Sequence, residues 1–322
     1  MHLFMSSRAR RNIYIVLTVF CISGVIALEN ISNNPLSYQK ELSLNIDKEK
    51  VVQSPYAFIL SIITLIYMAI FLTGIINLGL LIKRKLQKKS WVDISEKQKA
   101  FFLSEEKVSK LFFLLSFFVL IIYLLSLLLY VYSLISLNLF IALNVCFETG
   151  IVLIILRFIK PGLIGFALNK KHLVFLLRTY SLIVPIILGS LLVNILITEK
   201  LGMQYLSNPA IELLFFLRGK ISLFVMSLQI IALGPLAEEL LFRGFIYKFI
   251  RTRYSFAVSS IIISIFFSLL HQAPQNILPL FVISMALCYV YEKTQNILTP
   301  IIFHSLHNLI TLFFFLAIKP LI

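Results

Sequence analysis

Long apolar runs alternate with short polar segments along this chain, and most of the polar segments are basic. About 20 consecutive apolar residues cross a bilayer core as a helix. By that length the pattern predicts spans near 13–28, 56–82, 111–133, 137–156, 180–197, 219–250, 256–271, 277–291 and 297–318. The first run is short and follows Arg8, Arg10 and Arg11, as the h-region of a signal peptide would. The residues that end it, SGVIALEN, make a poor small-residue cleavage site, so an uncleaved first helix is expected. The predicted fold class is all-α: a polytopic integral membrane protein of eight to nine transmembrane helices. No tandem repeat, low-complexity tract or water-soluble domain interrupts the pattern.

Composition supports this picture. The 322 residues are 60% hydrophobic and 13% charged, against about half and a quarter in a soluble domain. The formal net charge of +15 does not indicate nucleic acid, because the basic residues sit at the ends of apolar runs, where membrane topology requires them. With the N-terminus in the cytoplasm, 21 of the 29 Lys and Arg fall in cytoplasmic segments and 7 in outer ones. That bias predicts a cytoplasmic N-terminus in the cell (plasma) membrane. It makes 29–54 an outer loop and 83–110 a basic cytoplasmic loop resting on anionic lipid. Cys21, Cys146 and Cys288 all lie in apolar runs and form neither a disulfide framework nor a metal-ligand spacing.

Against this apolar background one stretch of 71 residues, 238 to 308, concentrates polar chemistry. Ionisable side chains at bilayer depth are costly and mark functional sites. In GPLAEELLFRGF, Gly234 and Pro235 are expected to break or kink the preceding helix, with a fresh helical stretch from about Leu236. Glu239 and Arg243 are four apart, share a helical face and are expected to form an ion pair. Glu238 lies about 100° around the helix and has no partner in its own segment. An unpaired carboxylate in a low-dielectric setting suits general acid–base work. His271 ends the run 256–270. His304 and Asn308, four apart, lie on one face of the last helix, and His307 flanks that face. Glu238 lies ten residues before Lys248 and His304 eleven after Lys293, so at 1.5 Å per residue both sit about 15 Å in. His271 comes out somewhat deeper. One intramembrane cavity can gather all three. The bland alternative is polar interhelical packing, common for His and Asn in membranes.

Three motifs then stand in order: Glu238-Glu239-x-x-x-Arg243, Phe267-x-x-x-His271 and His304-x-x-x-Asn308. In order and spacing they resemble the CPBP family of intramembrane proteases, which includes the type II CAAX prenyl endopeptidases and bacteriocin-processing proteases. The resemblance covers roughly 175–318. It implies an all-helical fold with a cytosol-facing catalytic cavity and hydrolysis of a peptide bond in a membrane-associated substrate. By that resemblance Glu238 activates water, His271 assists it, and His304 and Asn308 stabilise the oxyanion or position the water. Glu239 and Arg243 support them. It leaves the substrate open, prenylated or not.

The expected organisation is an accessory transmembrane region, 1–165, followed by a protease domain, 166–322. No metal is the favoured reading, because a His₂Glu zinc set of Glu238, His271 and His304 would leave Glu239, tied to Arg243, as the base. Zinc on that set is the alternative. The partners expected are a membrane-associated peptide or protein and the lipid bilayer, with no nucleic acid. Two rival functions remain: a transporter or ion relay, for which Glu148 in the fourth span is the natural element, and a non-catalytic bacteriocin-immunity protein. Ser268 and Ser305 lie in no nucleophile motif.

Overall fold

The computed structural model describes residues 11–18, 56–86, 103–131, 136–202, 214, 217, 219–271 and 273–318. Among them every regular element is a helix, as expected of an all-α membrane protein. Eight long elements follow in order: α1 Tyr56–Leu86, α2 Glu105–Val131, α3 Leu137–Phe158, α4 Lys170–Lys200, α5 Lys220–Arg251, α6 Phe256–Leu270, α7 Ile277–Thr294 and α8 Leu298–Ile318. All but α6 are long and apolar enough to cross a membrane. The span expected at 13–28 lies mostly outside the described residues, as does the basic loop after α1.

Two boundaries differ from the apolar pattern. The helix α4 starts at Lys170, ten residues before its apolar run, because the Asn169 side chain accepts from the backbone N–H of His172 and caps it. Residues 170–178 of the expected basic loop 157–178 are therefore the first turns of a helix. Likewise α2 begins at Glu105, with Glu105 and Glu106 in its first turn, where acidic side chains complement the helix dipole.

The helices form one bundle. α5 packs against α3, α6, α7 and α8, while α4 packs against α1, α7 and α8. Apolar side chains facing outward on α1 and α4, among them Leu65, Ile66, Leu192 and Leu196, present the surface that lipid requires. A core of Leu111, Ile155, Leu240, Phe245, Phe267, Cys288 and Tyr291 fills the space between α2, α3, α5, α6 and α7.

Polar ties fix the helix ends. Glu292 of α7 accepts from Tyr247 Oη at 2.7 Å and pairs with Arg251 at 3.1 Å, clamping α5 to α7. The backbone N–H of Ile297, just before α8, donates to the carbonyls of Ile164 and Gly165. Gly165 has φ +77°, and a Cβ there would stand 2.4 Å from the carbonyl oxygen of Gln295, so only glycine fits. At the opposite end Asn194 donates to Pro274 O at 2.8 Å and accepts from Leu278 N at 3.0 Å. That holds the turn between α6 and α7. The 15 residues of α6 reach only about 22 Å, short of a bilayer core of about 30 Å. Its C-cap, His271, therefore lies within membrane thickness.

Candidate active site

The site is built on α5, and its geometry starts from Pro235. Proline has no backbone N–H and its ring crowds the preceding turn. The chain answers by widening over Gln229–Leu233 into a π-helical turn, with the Gly234 N–H bonded to Gln229 O. Of the break or kink expected at Gly234–Pro235, the break and the fresh start near Leu236 do not occur: the helix runs continuously from Lys220 to Arg251. The next carbonyl in that register, Ile230 O, would look to Pro235 for a donor and finds none. Asn308 Nδ2, on α8, donates to it at 2.9 Å. A second π segment follows at Leu240–Tyr247. Such wide turns change which side chains share a face, and they recur at functional sites.

Glu239 and Arg243 form the expected pair at 2.9 Å, with both side chains fully buried. The other end of the guanidinium donates to the Ser284 carbonyl at 3.1 Å and to Ser284 Oγ at 2.8 Å, anchoring the pair to α7. The His304 Nδ1 meets the same carboxylate oxygen, Glu239 Oε1, at 2.9 Å. With a carboxylate as acceptor, Nδ1 carries the proton. A neutral His304 then presents an unprotonated Nε2, an acceptor, and a donor at that atom requires the imidazolium form. The Phe267 ring sits between these groups: 4.6 Å from the His271 ring, 5.9 Å from His304 and 4.9 Å from Arg243 Cζ. His271 caps α6 and its Nδ1 donates to Phe267 O at 2.7 Å, which leaves Nε2 outside that bond.

Glu238 differs from its neighbour. It is half-buried, and its Oε2 is enclosed with no hydrogen-bond partner. Among the described residues no hydrogen bond joins it to His271. His304 and Asn308 do share a face, the one turned to α5, but each is engaged there, with Glu239 and with Ile230 O. His307 turns away toward α4, 3.4 Å from Tyr180 Oη. No three His, Cys, Asp or Glu side chains among the described residues stand close enough to hold a metal ion. The set Glu238, His271 and His304 therefore does not fit zinc in this arrangement.

Several residues here carried no local sequence signal for the contacts they make. Ser284 is a small residue in an apolar helix, and nothing nearby marks it as the anchor of Arg243. Phe267 stood only as the first letter of a motif. Gln229 and Glu148, which face each other across α5 and α3, came from separate parts of the chain. The signal that existed was Pro235, whose missing N–H predicts an orphan carbonyl needing a donor such as Asn308.

The same segment carries the likeness to known proteins. Residues 220–310 match the family model of Rce1-like type II CAAX prenyl endopeptidases. The chain is 28% identical over 169 residues to the membrane-embedded CAAX protease MroQ of Staphylococcus aureus (strain USA300), covering 50% of this chain and 66% of that protein. It is 37% identical over 76 residues to the UPF0177 protein YxdF of Lactococcus lactis subsp. lactis (strain IL1403), covering 23% of this chain and 41% of that protein. The chain thus spans just under two thirds of the first relative and about two fifths of the second. No solved structure matches. These likenesses bear out the resemblance to the CPBP family read from the three motifs, and with it a membrane protease family.

Proposed function

We propose that the chain is an intramembrane endopeptidase in which Glu238 activates the attacking water. The observation that carries this reading is the contrast between two adjacent glutamates. Glu239 is fully buried and bound through Oε1 by Arg243 and His304, whereas Glu238 is half-buried and forms no ion pair among the described residues. A base must have a free lone pair within reach of water, and of these two glutamates only Glu238 is exposed enough to meet one.

The steps follow from the groups present. Glu238 takes a proton from water as the hydroxide oxygen bonds to the carbonyl carbon of the scissile peptide. The carbonyl oxygen becomes an oxyanion. The second N–H of the Asn308 amide, free of Ile230 O, supports it, as does His304 Nε2 in its charged form. Collapse of the intermediate breaks the C–N bond, and Glu238 returns the proton to the departing amine. His271, held by Phe267 O, orients the water. The Glu239–Arg243–Ser284 assembly keeps His304 in place without entering the reaction.

The substrate is a peptide or protein resident in the membrane. The site lies within the protease domain, 166–322, with 1–165 as an accessory region, and the chain resides in the plasma membrane with its N-terminus in the cytoplasm. Single cysteines replacing Lys88 and Lys170, in a background free of native cysteines, then label only from the cytoplasmic side and one replacing Lys48 only from outside. Labelling at 48 and 88 from the same side breaks this orientation.

The function is tested by comparing membrane peptides in cells carrying the wild-type chain and Glu238→Gln. At least one cleaved membrane peptide is expected to disappear in the variant while its intact precursor accumulates. Identical peptide populations, with both proteins present at equal level, would overturn the assignment.

A further inference from the structure

Glu148, on α3, lies in the part of the chain that the family match does not reach, yet its carboxyl group enters the site. The carboxyl rests against Gly234: a Cβ on that glycine would stand 3.3 Å from Glu148 Oε1 and 3.2 Å from Gln229 O. Gly234 is one helical turn before Glu238, so Glu148 meets α5 directly below the proposed base. Gln229, five residues before Gly234, joins the same face only because the intervening turn is π-helical. Its side-chain amide hydrogen-bonds Glu148, and the charged group that Glu148 interacts with is Glu238, another acid.

The atoms left over are informative. Glu148 Oε2, Glu238 Oε2 and Gln229 Oε1 are all enclosed without a hydrogen-bond partner, and Gln229 is only 7% exposed. All three are acceptors if both carboxyls are ionised. Two carboxylates at membrane depth, with Arg243 committed to Glu239 and Ser284, would be two uncompensated charges and three orphan acceptors. A single proton relieves most of this, leaving one charge and the Gln229 oxygen. It removes one charge, turns one acceptor into a donor, and supplies that donor to the remaining carboxylate, as in paired-carboxyl sites. Gln229 already donates to Glu148, which leaves the other Glu148 oxygen as the place for the proton.

We propose that Glu148 is a positioning residue for Glu238: its protonated carboxyl donates a hydrogen bond to the Glu238 carboxylate, directly or through one water, and fixes the base toward the substrate. The proton stays on Glu148 through the reaction, while the proton that shuttles from water to amine is carried by Glu238 alone. This rests on Glu238 as base. It assigns a role to α3 that lies outside the protease-like segment and makes the accessory region part of the active site.

Two measurements on the purified full-length chain test it. The first is infrared spectroscopy of the protein in lipid, reading the carbonyl stretch of protonated carboxyl groups, and it needs no substrate. The band is expected in wild type, retained in Glu238→Gln and lost in Glu148→Gln. A band that survives in Glu148→Gln, or is absent from wild type, overturns the shared proton. The second uses a quenched-fluorescent peptide spanning a cleavage site recovered from the membrane-peptide comparison. Glu148→Leu is expected to lower kcat about 100-fold with KM little changed, the cost of a misplaced reacting group. Glu148→Gln, which restores an N–H donor, is expected to recover most of that loss. A Gln variant as impaired as the Leu variant means that the proton itself must move, as in a relay, and a Leu variant with wild-type kcat means that Glu148 positions nothing. Either result overturns the proposal. If wild type cleaves no peptide at all, the protease reading falls, while the infrared result still decides whether the two acids share a proton.

Discussion

The two sides of α5 handle buried charge in opposite ways. On the side facing α7 and α8, the charged groups are tied together: Arg243 pairs with Glu239 and donates to Ser284, and His304 meets the same Glu239 oxygen. On the side facing α3, Glu148 feels the charge of Glu238 and hydrogen-bonds a glutamine, with no ion pair to either acid among the described residues. Glu238 and Glu239 are consecutive residues of the same type, yet about 100° of helix separates their surroundings. Removing one partner of a buried, compensated pair strands a charge and costs stability. An uncompensated carboxyl adds little to stability, and it is kept where chemistry needs an available base. The first side is scaffold and the second is reagent.

Substitutions on the two sides are therefore expected to fail differently. The largest stability effect is Arg243→Ala. It leaves Glu239 as a bare buried charge and cuts the link to α7, costing about 3–5 kcal/mol. Thermal unfolding in detergent should show a strongly lowered midpoint or loss of folded protein, together with lost activity. A variant that melts like wild type would mean the pair does not hold the bundle. Next is Asn308→Ala, which strands the Ile230 carbonyl that Pro235 cannot serve. The cost is about 1–3 kcal/mol, so a moderate fall in the unfolding midpoint accompanies the catalytic loss. If Pro235→Ala in the same background restores the midpoint by supplying the missing N–H, the link between the proline and the asparagine is direct. The smallest effect is Ser284→Ala. It removes one acceptor from Arg243 and leaves the Ser284 carbonyl in place, a loss of about 1 kcal/mol with activity retained. A Ser284→Ala chain that loses activity outright would blur the line between scaffold and reagent.

What the sequence revealed follows the same division. The spans are long apolar runs, and their order is legible because a bilayer leaves the chain few alternatives. The Glu239–Arg243 pair is legible because four residues along a helix is a local distance. Its anchor on Ser284, 41 residues on, is not, since helix-to-helix register is invisible in one sequence. The position of Pro235 suggested a break or a kink, and the structure kept the helix by widening it. That widening, in turn, brings Gln229 onto the face of Glu238. Glu148 stood out as a charge in an apolar span and suggested a relay. Its place beside Gly234 depends on the packing of α3 on α5, which no local pattern encodes.

The most direct measurement compares Glu238→Gln and Glu239→Gln, each purified in detergent and assayed for thermal unfolding and for cleavage of the same peptide. Glu238→Gln is expected to unfold at the wild-type midpoint while losing about two to four orders of magnitude in kcat, the usual contribution of a general base. Glu239→Gln is expected to unfold well below wild type, because Arg243 and His304 lose the charge they share. The reverse pattern, an unstable Glu238→Gln that still cleaves and a stable Glu239→Gln that does not, would contradict the assignment of reagent and scaffold.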